Sequence, residues 1–147
     1  YLNKDIRDRE TVITYIADMA DTVGLLSDKN LFLKSVQERE HILPTSVGFK
    51  VAIPHGRSSS VREPFVSFMK TKHEFIWDTR NNNEVDLIFL IAVPEKNENN
   101  LHLRFLSEIS KKLMDSSFRE RLRNADNEHE VFVMLYEINE KVMEENT

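Results

Sequence analysis

The chain contains no cysteine, which excludes disulfides, thiolate zinc sites and a cysteine nucleophile and fits a cytoplasmic home. It has no apolar run long enough to span a bilayer and no signal-like amino terminus, so direct membrane insertion is not expected. Basic residues form no long run and the formal net charge is −5, which argues against nucleic acid as a main partner. None of the serines is flanked by glycines in the pattern of a nucleophile elbow. The five histidines show no short metal-ligand spacing, and His73-Glu74 lacks the second histidine of a zinc-protease helix. No metal and no cofactor is expected. Glycine is scarce, at three residues: Gly24 reads as a helix stop, and Gly48 and Gly56 flank the motif that carries most information.

What is present suits one α/β domain over residues 1–147, with a mixed parallel and antiparallel sheet flanked by helices on both faces. A start at Tyr1 rather than Met leaves open a domain cut from a longer polypeptide. Val12, Ile16, Met19, Ala20 and Val23 recur at helical spacing behind Asp8 as N-cap. A second helix opens at Ser27 or Asp28 and runs to about Glu40, with Leu31, Phe32 and Val36 facing inward. Ser58 to Pro64 reads as a loop, Phe65–Lys70 and Glu74–Trp77 as two strands, and Arg80–Asn83 as a turn. The run Val85–Val93 is apolar enough for a central strand covered on both faces. A polar loop from Glu95 to Asn100 leads into a helix carrying Phe105, Leu106, Ile109 and Leu113. A short helix near Ser117–Asn124, capped by Asp115 or Ser116, and a last one with Val131, Leu135, Ile138 and Val142 complete the chain, ahead of an acidic tail expected to fray.

The run Val51-Ala52-Ile53-Pro54-His55-Gly56-Arg57 sets one histidine at the abrupt end of an apolar strand. Pro54 fixes its own φ and pushes Ile53 toward extended conformations. Gly56 is expected to let the backbone turn there. His55 so mounted suits a nucleophile, a ligand or a switch. Gly56, Arg57 and Ser58 are candidate contacts for a phosphate or a partner, against the plainer reading of a solvated turn.

Two further residues stand out. His102 falls in the first turn of its helix, on the apolar stripe of Phe105, Leu106 and Ile109. A helix start favours an anion and discourages imidazole protonation. Against this stands a core histidine satisfied by a backbone carbonyl. Arg39 continues the stripe of Phe32 and Val36, so its guanidinium is either aimed at an anion or complements the carboxyl end of its own helix.

The segment Thr45–Arg57, with Arg62-Glu63-Pro64, Trp77-Asp78, Val85–Leu90, Asn100-Leu101-His102-Leu103 and Phe118-Arg119, resembles one family in order along nearly the whole chain. That family is the enzyme IIA domain, fructose/mannitol/nitrogen type, of the bacterial phosphoenolpyruvate-dependent phosphotransferase system. The resemblance implies that His55 is phosphorylated by the carrier HPr and passes the group to a IIB domain, with a membrane IIC component engaged only indirectly. It implies that His102 is a second, unphosphorylated active-centre histidine that stabilises the phosphoryl group, and that Arg39 is an active-centre cation. It implies a mixed sheet with helices, the site lying at the sheet's edge. One departure stands out: members often read Gly-x-Gly before the strand, whereas here Phe49 and Lys50 follow Gly48. Two other readings stay open. One is a regulatory domain, nitrogen-type or part of a transcriptional regulator, in which phosphorylation controls partner binding. The other is a binding module whose His55 is merely structural.

Overall fold

The computed structural model describes residues 1–96 and 100–144, except the side chains of residues 101 and 102. The described chain forms two compact units, one of Tyr1 and Asn3–Lys96, the other of Leu2 and the residues from 100 onward.

The first unit begins with α1 (Arg9–Thr22) and α2 (Lys29–Ile42). Asp8 caps α1 by accepting from Thr11 N–H at 3.0 Å, and Gly24 at φ +83° ends it. Val12, Ile13, Ile16, Ala17 and Ala20 are buried. Val23, expected on that stripe, is exposed because it is already the C-cap. Asp28 caps α2 through Leu31 N–H at 3.1 Å. The inner stripe of α2 is Phe32, Val36 and Glu40, spaced four apart. Leu31, expected inside, lies on the rim and is exposed. The helix runs past Glu40 to Ile42, because Leu43 N–H still reaches the Arg39 carbonyl and Arg39 in turn holds the Leu43 carbonyl.

Five strands follow: β1 (Ser46–Gly48), β2 (Val51–Ala52), β3 (His55–Ser58), β4 (Phe65–Asp78) and β5 (Asn83–Pro94). β5 is central. β4 runs antiparallel along one side, with Phe65 opposite Ala92 and Asp78 opposite Asn83. β2 and β3 run parallel along the other side in one register, Val51 opposite Leu87 and His55 opposite Ile91. β1 folds back antiparallel on β2. The two strands expected between Phe65 and Trp77 are thus one, with a register shift between Lys70 and Phe75. The exposed residues Lys72, His73 and Glu74 interrupt the apolar alternation, while the backbone stays extended. On β5, Ile88, Leu90 and Ala92 join the core formed with α1 and α2. Leu87, Phe89, Ile91 and Val93 point to the other face and are buried too, as the run of apolar residues predicts.

The second unit holds α3 (Leu101–Leu113), α4 (Ser116–Asn124) and α5 (Glu128–Glu144). Phe105, Ile109 and Leu113 are buried on α3. Asp115 caps α4 through Ser117 N–H at 2.9 Å. On α5, Met134 takes the buried place expected for Leu135, beside Val131, Ile138 and Val142. Glu108 on α3 is 3% exposed and meets Lys111 Nζ at 3.2 Å and Lys141 Nζ at 3.1 Å, which ties α3 to α5.

Candidate functional site

His55 is the first residue of β3, and Pro54 is what separates β3 from β2. The Leu87 N–H reaches the Lys50 carbonyl and the Ile91 N–H the Pro54 carbonyl, at 3.2 and 3.0 Å. Residues 50 and 54 therefore face β5. By strand alternation the Ile53 backbone faces the opposite side, where its N–H donates to the Thr45 carbonyl at 3.0 Å. The Ile53 carbonyl accepts from His55 Nδ1 at 2.9 Å. A carbonyl only accepts, so Nδ1 carries the proton and Nε2 keeps its lone pair. The half-buried ring is thereby held in one orientation, and Nε2 meets no hydrogen-bond donor among the described residues.

Gly56 corrects an expectation. It opens no turn; it lies inside β3 and is buried. A Cβ there would stand 2.6 Å from Ser35 Oγ and 2.8 Å from Val36 Cγ2. The glycine is required by the close approach of α2, a contact that local sequence does not reveal. Ser58, expected in the loop, ends β3 and turns inward, 6% exposed. Its Oγ lies 2.7 Å from Ser60 Oγ. Arg57 is exposed, and its Nε donates to the Glu95 carbonyl at 2.7 Å. It borders an open cleft of about 230 Å³ with Lys34, Ser35, Glu38, Ser59 and Glu95. That cleft pairs two cations with two carboxylates, so its charge alone selects no anion.

Arg39 is half-buried, and its Nη1 donates to the Leu43 carbonyl at 2.7 Å. This is the helix-end role weighed for it, and it uses one of the five guanidinium donors. His102 is the second residue of α3, in the first turn as expected; its side chain lies outside the described residues. Among the described residues no group of three histidine or acidic side chains is placed to hold a metal ion. No helix among them is long and apolar enough to cross a membrane.

Glu40 is the residue that sequence reasoning missed. It reads as part of the charged run Glu38-Arg39-Glu40, yet it is 3% exposed. It accepts from Thr45 N–H at 3.1 Å, from Thr45 Oγ1, and from Trp77 Nε1 at 3.2 Å. Its place four residues after Val36, on the stripe of Phe32 and Val36, is the signal that it points inward.

Comparison with known proteins adds a family. The model of the "Phosphoenolpyruvate-dependent sugar phosphotransferase system, EIIA 2" family matches residues 1–138. A fructose-specific EIIA component of Haloferax volcanii is 32% identical over 130 residues, 88% of this chain and 84% of that protein. A fructose-specific EIIABC component of Mycoplasma pneumoniae is 32% identical over 82% of this chain. The chain spans only 17% of that longer relative's length. Among solved structures, nitrogen regulatory protein IIA-Ntr from Neisseria meningitidis has a TM-score of 0.81 at 28% identity, over 91% of this chain and 90% of that one. The mannitol enzyme IIA of Escherichia coli, solved in complex with phosphorylated mannitol enzyme IIB, shares the fold at a TM-score of 0.75 and 20% identity, over 91% of each chain. A family match running through both compact units carries the assignment: this chain belongs to the EIIA 2 family of the phosphoenolpyruvate-dependent sugar phosphotransferase system.

Proposed function

We propose that this chain is a phosphocarrier domain in which His55 accepts a phosphoryl group from phospho-HPr and passes it to a IIB domain during sugar uptake. The observation that carries the reading is the 2.9 Å contact between His55 Nδ1 and the Ile53 carbonyl, which leaves Nε2 as the nucleophile. The Nε2 lone pair attacks phosphorus in line. As the new N–P bond forms, the bond to the donor breaks and its electron pair leaves with the donor. The ring then carries both the phosphoryl group and the Nδ1 proton, a cationic state that acceptance by Ile53 favours. Retaining that proton makes the ring a better leaving group for the onward step. The family match through residue 138 supports reading the whole chain as one such domain, working in the cytoplasm.

His102 and Arg39 complete the proposed site. A neutral His102 N–H and the Arg39 guanidinium are moderate donors to the phosphoryl oxygens, as a relay requires, since tighter stabilisation would trap the intermediate. Exposed Arg57 serves as docking surface beside His55, while Gly56 and Ser58, buried and paired with β5, hold the strand that carries it. No metal or nucleotide enters the scheme. A regulatory use of the same chemistry is the second reading, favoured by the likeness to a nitrogen regulatory protein at 28% identity. Efficient transfer of label onward to a IIB domain separates transport from that reading.

The test is labelling from radioactive phosphoenolpyruvate with enzyme I and HPr. The wild-type protein is expected to yield an acid-labile, base-stable phosphoprotein, phosphorylated at Nε2 by NMR, and His55→Ala none. Label that survives His55→Ala overturns the assignment.

A further inference from the structure

In an antiparallel pair facing through the hydrogen-bonding position, two residues exchange two bonds, each donating its N–H to the other's carbonyl. β1 and β2 set Ser46 opposite Ala52, and that register carries Thr45 opposite Ile53. Half of the exchange is made: Ile53 N–H donates to the Thr45 carbonyl at 3.0 Å. The return bond is replaced at both ends. Thr45 N–H turns to Glu40 Oε2 at 3.1 Å, and the Ile53 carbonyl takes His55 Nδ1 at 2.9 Å. Glu40 and His55 hold the two halves of one opened rung.

The environment of Glu40 makes this more than a packing detail. Glu40, Thr45 and Trp77 are 3%, 5% and 2% exposed. A carboxylate at such a place is costly unless donors meet both its oxygens. Here three do: Thr45 N–H, Thr45 Oγ1 and Trp77 Nε1. An apolar side chain would fill the same space at lower cost, but it would leave Thr45 N–H without an acceptor other than the Ile53 carbonyl. That carbonyl is the one His55 uses.

We propose that Glu40 is a positioning residue for the phosphoryl-accepting histidine. By drawing Thr45 N–H away from the Ile53 carbonyl, it reserves that carbonyl for His55 Nδ1–H and keeps Nε2 unprotonated. The role rests on the phosphocarrier reading of His55 and deepens it; Glu40 itself touches neither the ring nor the phosphoryl group.

The experiment is ¹⁵N NMR of the His55 imidazole together with the initial rate of labelling from phospho-HPr. Wild type is expected to hold the Nδ1–H tautomer. Glu40→Leu lets Thr45 N–H compete for the carbonyl, and the tautomer ratio shifts toward Nε2–H by about two- to tenfold, the worth of one net hydrogen bond. The labelling rate falls with it. Glu40→Gln, which keeps an acceptor oxygen, restores part of both. Trp77→Phe removes another donor to Glu40 and supplies the comparison for general loss of stability: it leaves the tautomer ratio unmoved.

A ratio unchanged in Glu40→Leu, or moved equally by Trp77→Phe, reduces Glu40 to a structural anchor. If Glu40→Leu does not fold, wild type decides by coupling across the hydrogen bond: Thr45 N–H must couple to the Glu40 carboxyl carbon, and coupling to the Ile53 carbonyl carbon overturns the proposal. A wild-type protein that resists phosphorylation while its variants show the tautomer shift sinks the phosphocarrier reading and leaves Glu40's role standing. Normal phosphorylation with an unmoved tautomer does the reverse.

Discussion

A methyl group at position 56 would lie 2.6 Å from Ser35 Oγ and 2.8 Å from Val36 Cγ2, so Gly56→Ala forces α2 away from β3. Overpacking of this kind costs about 1–3 kcal/mol. Chemical denaturation should register it, with slower phosphorylation of the neighbouring His55; an unchanged midpoint would mean that α2 yields without cost. Arg39 makes a second prediction. Arg39→Ala is expected to lose about 1 kcal/mol or less through the Leu43 carbonyl. A loss of onward phosphoryl transfer well beyond that, measured with a IIB acceptor, assigns the guanidinium to the active centre as well. At this scale the sequence was informative where the cause is local. Pro54 stiffens the backbone before His55 whatever surrounds it. The roles of Gly56 and Glu40 are not legible in this way because their reasons come from elsewhere: Gly56 from α2, and Glu40 from Thr45 and Trp77.

Among the elements, the β1–β2 hairpin departs most from ordinary turn chemistry. Gly48, Phe49 and Lys50 have φ of +91°, +55° and +62°. The two central residues of the turn thus adopt the left-handed conformation that a primed hairpin turn demands, without the asparagine or glycine usual there. Lys50, placed so, reaches Glu74 Oε1 with its Nζ at 2.5 Å. Phe49→Asn should relieve strain and raise stability by about 0.5–1 kcal/mol, read as a higher midpoint; a lower one would assign Phe49 a packing role that outweighs its backbone. The α3–α5 tie makes a prediction about acid. Hydrogen bonds from Lys141 and then Lys111 hold the Glu108 carboxyl below its ordinary range. A carboxyl depressed in the folded state contributes stability above its unfolded value, and loses it as pH falls through the folded one. Glu108→Gln should therefore flatten the acid limb of the stability curve and lower stability at neutral pH. An acid limb as steep as that of wild type would contradict it. Helix caps such as Asp8 and Asp28 were legible because they act within one turn. The single long β4 was not, because pairing with β5 keeps Lys72, His73 and Glu74 extended where polarity alone suggests a break.

For the whole molecule, a net charge of −5 offers a direct readout. Phosphorylation adds on the order of one to two negative charges. Treatment with phospho-HPr should shift the protein toward the anode on a native gel, and His55→Ala should not move. The broad architecture, helices alternating with strands around an apolar β5, followed from periodicity because burial on both faces leaves a continuous apolar run. The order of strands beside β5 did not, since β2 and β3 share one side only through pairings distant in sequence. That arrangement bears on the choice of a control for phosphorylation. Ile53 is buried and gives its N–H to the Thr45 carbonyl, so the carbonyl held by His55 Nδ1 lies beside a second strand and not at a free edge. His55→Ala leaves that carbonyl to Thr45 N–H, which should then exchange with solvent at a different rate from the same amide in His55→Asn, whose side chain can still donate there; equal rates would mean that Glu40 keeps Thr45 in both.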